Sequence, residues 1–197
     1  EALKSEAPDL KAAGVAALGL GQMHYNLEQF PEAAEVLKLF AKELSEDQYY
    51  RCRGLGYLIL SMVESDQGKA AAGYFNLLKT RCQKDPSVAN AAYALAEDSD
   101  DRGDFRKAAI YLLQFAKHPT ASEDLKNIDL LMKIVQTLSD GGLISDARHY
   151  VEIAKQVGGG ASNLGRELLY MEAKIAYSAQ DWAAAVKTFQ GYVDEYK

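Results

Sequence analysis

Apolar residues recur along this chain at the three-and-four spacing of helices, and nothing alternates at period two for long enough to be a strand. The helical segments come in pairs. Ala13, Ala16, Ala17, Leu20 and Met23 share one face over 9–25, and Ala33, Val36, Leu37 and Phe40 share one after Phe30. The next pair carries Leu55, Leu58, Ile59 and Met62 over 47–64, then Ala71, Tyr74, Phe75 and Leu78 in a segment that ends before Asp85-Pro86. A third pair opens at Pro86-Ser87 with Ala91, Ala92 and Leu95. It continues with Phe105, Ala108, Leu112 and Phe115 and stops at His118-Pro119. The fourth starts near Ser122, a capping residue with two acids in its first turn. It places Ile128, Leu131, Ile134, Val135 and Leu138 on one face, then Ala147, Tyr150, Val151 and Ala154 on the next segment, which ends at three glycines, 158–160. The fifth pair covers 163–178 and runs from Asp181 to the end. The pattern predicts ten helices in five antiparallel pairs.

A short device sits inside each pair. Its clearest copy is Gly103-Asp104-Phe105-Arg106-Lys107-Ala108-Ala109. Gly103 suits a backbone position with φ > 0, Asp104 is a good N-cap, and Phe105 and Ala108 share a helix face. The position of Phe105 recurs at Phe30, Gly68, Ile144 and Trp182, at spacings of 38, 37, 39 and 38 residues. A nearly fixed period of this size marks an array of stacked repeats. The expected boundaries are 8–46, 47–85, 86–121, 122–160 and 161–197 of a single repeat domain, with 1–7 as the tail of a preceding helix. From residues 1–7 and the lack of a polar capping helix after the last pair, the chain is expected to be an excerpt of a longer one. Phe105 and Trp182 are expected to be buried plugs.

These residues resemble the tetratricopeptide repeat (TPR) family, whose repeat has Leu-Gly in the first helix, a tight Gly turn, an aromatic residue, Ala three residues on, a large residue four later, and Pro. Leu20-Gly21, Phe30, Ala33 and Leu37 fit in repeat one. Leu95-Ala96, Gly103, Phe105, Ala108, Leu112 and Pro119 fit in repeat three. Gly142, Ile144, Ala147, Val151 and Ala154 fit in repeat four, and Trp182, Ala185 and Phe189 in repeat five. Repeat two holds Ala71, Phe75 and Leu78 but has Gly68 at the aromatic position. The period exceeds the family's, about 34, and several Gly and Pro positions are lost, which implies longer turns. The resemblance implies an all-α, right-handed α-α superhelix, a TPR-like solenoid. Its first helices line a concave face, and its usual role is to bind segments of other proteins.

Composition narrows the chemistry. The net charge of −6 argues against nucleic acid, because phosphate binding needs concentrated Lys and Arg. No apolar run reaches the roughly 18 residues that would insert in a bilayer. The acidic run Asp98-Ser99-Asp100-Asp101-Arg102-Gly103 lacks the oxygen ligand at Arg102 and the Glu at Ala109 that a calcium loop requires. The glycines of 160–165 lack the Lys and Ser/Thr of a phosphate loop, and Gly19-Leu20-Gly21 lacks the third glycine of a dinucleotide fingerprint. His24, His118 and His149 fall in different repeats at no metal-ligand spacing. No nucleophile pairs with a base. The expectation is a non-enzyme with no cofactor and no metal.

By register, the concave face would carry Leu18, Gln22, Tyr25, Arg53, Leu60, Asn90, Tyr93, Glu97, Asp129, Met132, Gln136, Tyr170, Lys174 and Tyr177. Some family members clamp a C-terminal carboxylate with Lys, Asn and Arg there. Here those positions hold Leu18, Gln22, Tyr93 and Glu97, so that clamp is absent. Tyrosine offers a large contact area at small rotamer cost, which points to an interaction scaffold whose partner is a protein or peptide segment. The alternative is an architectural spacer of a larger envelope or polysaccharide-secretion protein, since long arrays of such repeats are familiar in bacterial periplasmic proteins. On that resemblance the periplasm is favoured slightly over the cytoplasm. Oligomeric state is left open. Cys52 and Cys82 fall at neighbouring ends of a helix pair, where a disulfide is geometrically allowed. Free thiols are the favoured expectation, because packed helices often hold Cα atoms farther apart than a disulfide spans.

Overall fold

The computed structural model describes residues 10–43, 48–158 and 162–195. The proposed preceding helix tail at 1–7, residues 159 and 160 of the glycine turn and the last two residues lie outside them. Ten α-helices occupy the described residues: α1 (Leu10–Asn26), α2 (Phe30–Glu43), α3 (Gln48–Glu64), α4 (Gly68–Arg81), α5 (Pro86–Asp101), α6 (Phe105–Ala116), α7 (Ile128–Asp140), α8 (Ile144–Gly158), α9 (Ser162–Ser178) and α10 (Trp182–Glu195). The chain forms two compact units, Glu1–Asp98 and Ser99–Lys197. In the first, α1 packs on α2, α2 on α3 and α3 on α4. In the second, α6 packs on α7, α7 on α8, α8 on α9 and α9 on α10.

All five turns inside the pairs have one construction. The residue two before each second helix has a left-handed backbone: Glu28, Asp66, Gly103, Gly142 and Gln180, with φ from +58° to +76°. The next residue's N–H then reaches back five residues to a carbonyl of the first helix, in Gln29 to His24, Gln67 to Met62, Asp104 to Ser99, Leu143 to Leu138 and Asp181 to Ala176, at 2.7–3.0 Å. This Schellman-type closure satisfies carbonyls the helix end would otherwise leave unpaired. Only two of the five are glycine, although an L-residue in this region costs roughly 1–2 kcal/mol.

Three residues into each second helix stands an alanine, and Ala33, Ala71, Ala108, Ala147 and Ala185 are all buried. Four residues further, Leu37, Phe75, Leu112 and Val151 are buried and Phe189 is half-buried. The aromatic at the helix start is not a core plug. Phe105 is 49 % exposed and Trp182 56 %. As first residues of their helices they precede the buried stripe and lie over the turn. There Trp182 meets Tyr177 edge-on at 5.2 Å, and Phe30 meets Tyr25 at 5.4 Å. Gly68 fills the same position in α4 because Asp98 of α5 occupies the space a Cβ would need.

The first helix of repeat four begins later than Ser122. Pro119 ends α6, and residues 119–122 and 124–126 form short 3-10 turns. The buried His118 caps the first of these, accepting from the Thr120 N–H at 3.3 Å. Asn127 is the cap of α7, accepting from the Asp129 and Leu130 N–H groups at 2.9 and 3.3 Å. Proline cannot continue the helix that precedes it, and a tight 3-10 pitch holds the chain until a capping amide appears.

Cys52 and Cys82 are joined in a disulfide, with Cα atoms 5.6 Å apart and a sequence separation of 30. The favoured expectation of free thiols is corrected, because α3 and α4 splay little at this end. Both cysteines are buried.

Replacing Glu28 or Gln180 with Gly should stabilise the chain by about 0.5–1 kcal/mol in chemical denaturation, whereas Gly103→Ala should cost about 1 kcal/mol. A Cβ at Gly103 meets nothing within 4 Å, so that loss isolates the backbone term. Phe75→Ala should cost about 3–5 kcal/mol, and Phe105→Ala far less. Thermal melts with and without reductant check the disulfide: loss of the cross-link should destabilise the first unit by up to about 3.5 kcal/mol, the loop-closure entropy of the unfolded chain.

Candidate protein-interaction face

The first helix of each pair buries two flanks and leaves a third face open, because side chains three and four apart line up along it. Counting back from the start of the partner helix, the eighth position reads Gln22, Leu60, Glu97, Gln136 and Lys174, all half-buried. The fifteenth position includes Arg53, Asn90 and Asp129, all exposed. These columns present the expected residues, unit by unit.

In the first unit a cleft of about 390 Å³ lies across α1, α3 and the start of α5. Tyr25, Arg53, Leu60 and Asn90 line it, as the register places them, together with Tyr57, Asp85 and Ser87. Its floor is set by Gly56, where a Cβ would stand 2.7 Å from the Ser87 Cβ, so α3 and α5 approach closely there. Tyr25 and Tyr57 meet edge-on at 5.4 Å. Burial, then the Glu64 charge and Tyr57, raise the Tyr25 phenol above its ordinary pKa, which keeps it a neutral donor. Gln22 is half-buried on the same helix, and its side-chain Nε2 is buried with no hydrogen-bond partner among the described residues.

Leu18 is corrected. It is 4 % exposed and belongs to the core. Its column position in α3 is the buried Gly56, and the close approach of neighbouring first helices turns this end of the face inward. Tyr93 and Glu97 of α5 are half-buried and do not line the cleft.

In the second unit a cleft of about 470 Å³ joins Met132 and Gln136 of α7 to Tyr170 of α9. Lys133, Arg166, Glu167, Met171 and Tyr192 complete it. Tyr170 packs against Phe189 and Tyr192 at 6.1 and 6.0 Å. Gln136 donates to Asp140, and Lys174 pairs with the same carboxylate at 3.1 Å, so both polar groups are partly engaged within the fold. Asp129 and Tyr177 are exposed outside the cleft.

A third cleft, about 560 Å³, lies between α8 and α10 over α9, with Val151, Leu169 and Ile175 beneath Arg148, Glu152, Glu172 and Lys187. Burial alone would lower the nearby Lys155, but hydrogen bonds to Glu172 and Glu152 outweigh it and raise its pKa.

Sequence reasoning missed Tyr57, Lys133, Arg166 and Tyr192. The first three stand one residue beside a face column, and a wider angular window along each first helix would have included them. Tyr192 comes from a second helix, whose side chains the repeat pattern assigns elsewhere.

No protein-family model matches the chain, and no curated protein sequence does. Solved structures do. MamA (MSR-1, C2) is similar over 93 % of this chain and 98 % of its own, with a TM-score of 0.53 at 13 % identity. A Podosopora anserina structure of nearly identical TPR-like repeats, of the kinesin light chain kind, is similar over 95 % of this chain and 94 % of its own, with a TM-score of 0.51 at 15 % identity. A form of those repeats carrying one substitution covers 96 % of this chain and 95 % of its own, with a TM-score of 0.52 at 15 % identity. The chain therefore has the all-α, TPR-like solenoid fold of paired helices.

Proposed function

We propose that this protein is an interaction scaffold, and that the open face of its first helices holds a segment of a partner protein. The observation that carries this reading is the clustering of aromatic and apolar side chains around clefts on that face: Tyr25, Tyr57 and Leu60 in the first unit, and Met132, Met171 and Tyr170 in the second. Each cleft is rimmed by both signs of charge, Arg53 with Asp85, and Lys133 and Arg166 with Glu167. Such a site gains affinity from apolar anchors seated in the cleft and register from the polar rim. Tyrosine and methionine suit it, one rigid and amphipathic, the other adaptable in shape. The TPR-like fold of the neighbours is compatible with this role and does not by itself assign it. A uniformly polar face would have favoured the spacer reading; the aromatic lining favours the binder.

Selection of peptides from a random displayed library against the oxidised chain tests the proposal. Selected peptides should share an apolar or aromatic anchor. Leu60→Ala or Tyr170→Ala should weaken their binding by more than about 1 kcal/mol in calorimetry, while Lys69→Ala on an exposed second helix should not. Equal affinity for all three variants would remove this face from consideration.

A further inference from the structure

The first cleft stands on a closed circuit of four links. Cys52 lies one turn before Gly56 on α3. Gly56 approaches Ser87 at the start of α5, where a Cβ would stand 2.7 Å from the Ser87 Cβ. Ser87 donates its N–H to the Asp85 carboxylate at 2.9 Å, and Asp85 donates its own to the Cys82 carbonyl at 2.8 Å. The disulfide then returns from Cys82 to Cys52. Arg53, Gly56, Asp85 and Ser87, all within this circuit, line the cleft. The circuit therefore sets how far α3 stands from the start of α5, and with it the width of the cleft.

The links differ in strength. The approach at Gly56 is a van der Waals contact with no side chain on one partner. The turn hydrogen bonds run through a half-buried Asp85, where water competes for the same groups. The disulfide is the covalent link, and it sits at the corner where the chain leaves α4 for α5. The second cleft has no counterpart. Cys52 and Cys82 lie sixteen residues before and fourteen after the first residue of α4, and the matching positions around the first residue of α8 are Ile128 and Gly158.

From this circuit we infer, on the reading of the first cleft as a partner site, that the Cys52–Cys82 disulfide holds that cleft at its binding width and that reduction by a dithiol releases a segment bound there. Two electrons and two protons pass from the dithiol to the bond. The S–S bond breaks, thiols form on Cys52 and Cys82, and the dithiol closes to a cyclic disulfide. Both cysteines are buried, so the exchange passes through a local opening. Without the cross-link, α3 and the start of α5 sample a wider range of separations. Affinity falls by the fraction of time the binding width is kept.

Two measurements test this on three forms: the oxidised chain, the chain fully reduced with dithiothreitol, and the Cys52→Ser, Cys82→Ser double variant. The first needs no ligand. The nuclear Overhauser contact between Gly56 and Ser87 should be strong in the oxidised chain and weak or lost in the other two, while the amides of α2 keep their slow hydrogen exchange. The second uses peptides selected on the oxidised chain and sorted by the variant that weakens them, Leu60→Ala for the first cleft and Tyr170→Ala for the second. First-cleft peptides should bind the reduced chain and the double variant roughly tenfold more weakly. Second-cleft peptides should bind all three forms alike. An unchanged Gly56–Ser87 contact overturns the inference whether or not any peptide is found. So do first-cleft peptides with one affinity for all three forms, and so does a loss shared by both clefts, which is general destabilisation. If the serine variant does not fold, Cys52→Ala with Cys82→Ala keeps both buried positions apolar and takes its place. Unfolding of the first unit in every form without the bond also overturns it, because the bond then supports the whole unit and not the cleft. Failure of the partner-site reading looks different: no peptide is selected, or those selected ignore Leu60→Ala and Tyr170→Ala.

Discussion

A left-handed residue closes every helix pair, and the packing of each unit depends on it. With that residue in place, the following N–H returns to the first helix, and the second helix starts at a fixed angle and phase. Its alanine three residues in then always faces the core. The conformation is kept at Glu28, Asp66 and Gln180 despite the side-chain penalty. Losing it would cost the closing hydrogen bond and the burial of an entire helix stripe, each of which outweighs roughly 1–2 kcal/mol of backbone strain.

Fixing the phase of the second helix fixes what the first can show. One flank of a first helix meets its own partner and another meets the preceding second helix, so its remaining side chains form an open strip. Small residues sharpen the arrangement. Gly56 lets α3 close on α5 at Ser87, and Gly141 lets α7 close on α6 at Ala109.

The disulfide acts on the first unit. It ties the second turn of α3 to the residue just after α4, and both cysteines are buried. Such a bond persists in an oxidising compartment and is lost in a reducing one. The stability of that unit is therefore coupled to redox surroundings, while the second unit contains no cysteine.

Most helix boundaries were legible in the sequence, because period-3.6 patterning, Pro86, Pro119 and the turn residues are local signals. The repeat period was legible for the same reason, and with it the columns that place Arg53, Leu60, Met132 and Tyr170 on one kind of face. Local signals failed where a neighbour in space decides the outcome. Leu18 reads as a face residue and is core, because adjacent helices converge at its level. Phe105 and Trp182 read as core and lie outside, because the first residue of a helix precedes the buried stripe. Ser122 reads as a cap, yet the chain waits for Asn127, since Pro119 imposes a tighter turn first. The cysteine pairing rested on the splay between α3 and α4, a distance that no spacing along the chain encodes. The sequence by itself determined the helices, their period and their apolar faces, all properties of residues within a few positions of one another. Only the tertiary structure decided which of those faces are covered, because burial belongs to the helix packed alongside and not to the helix that carries the residue.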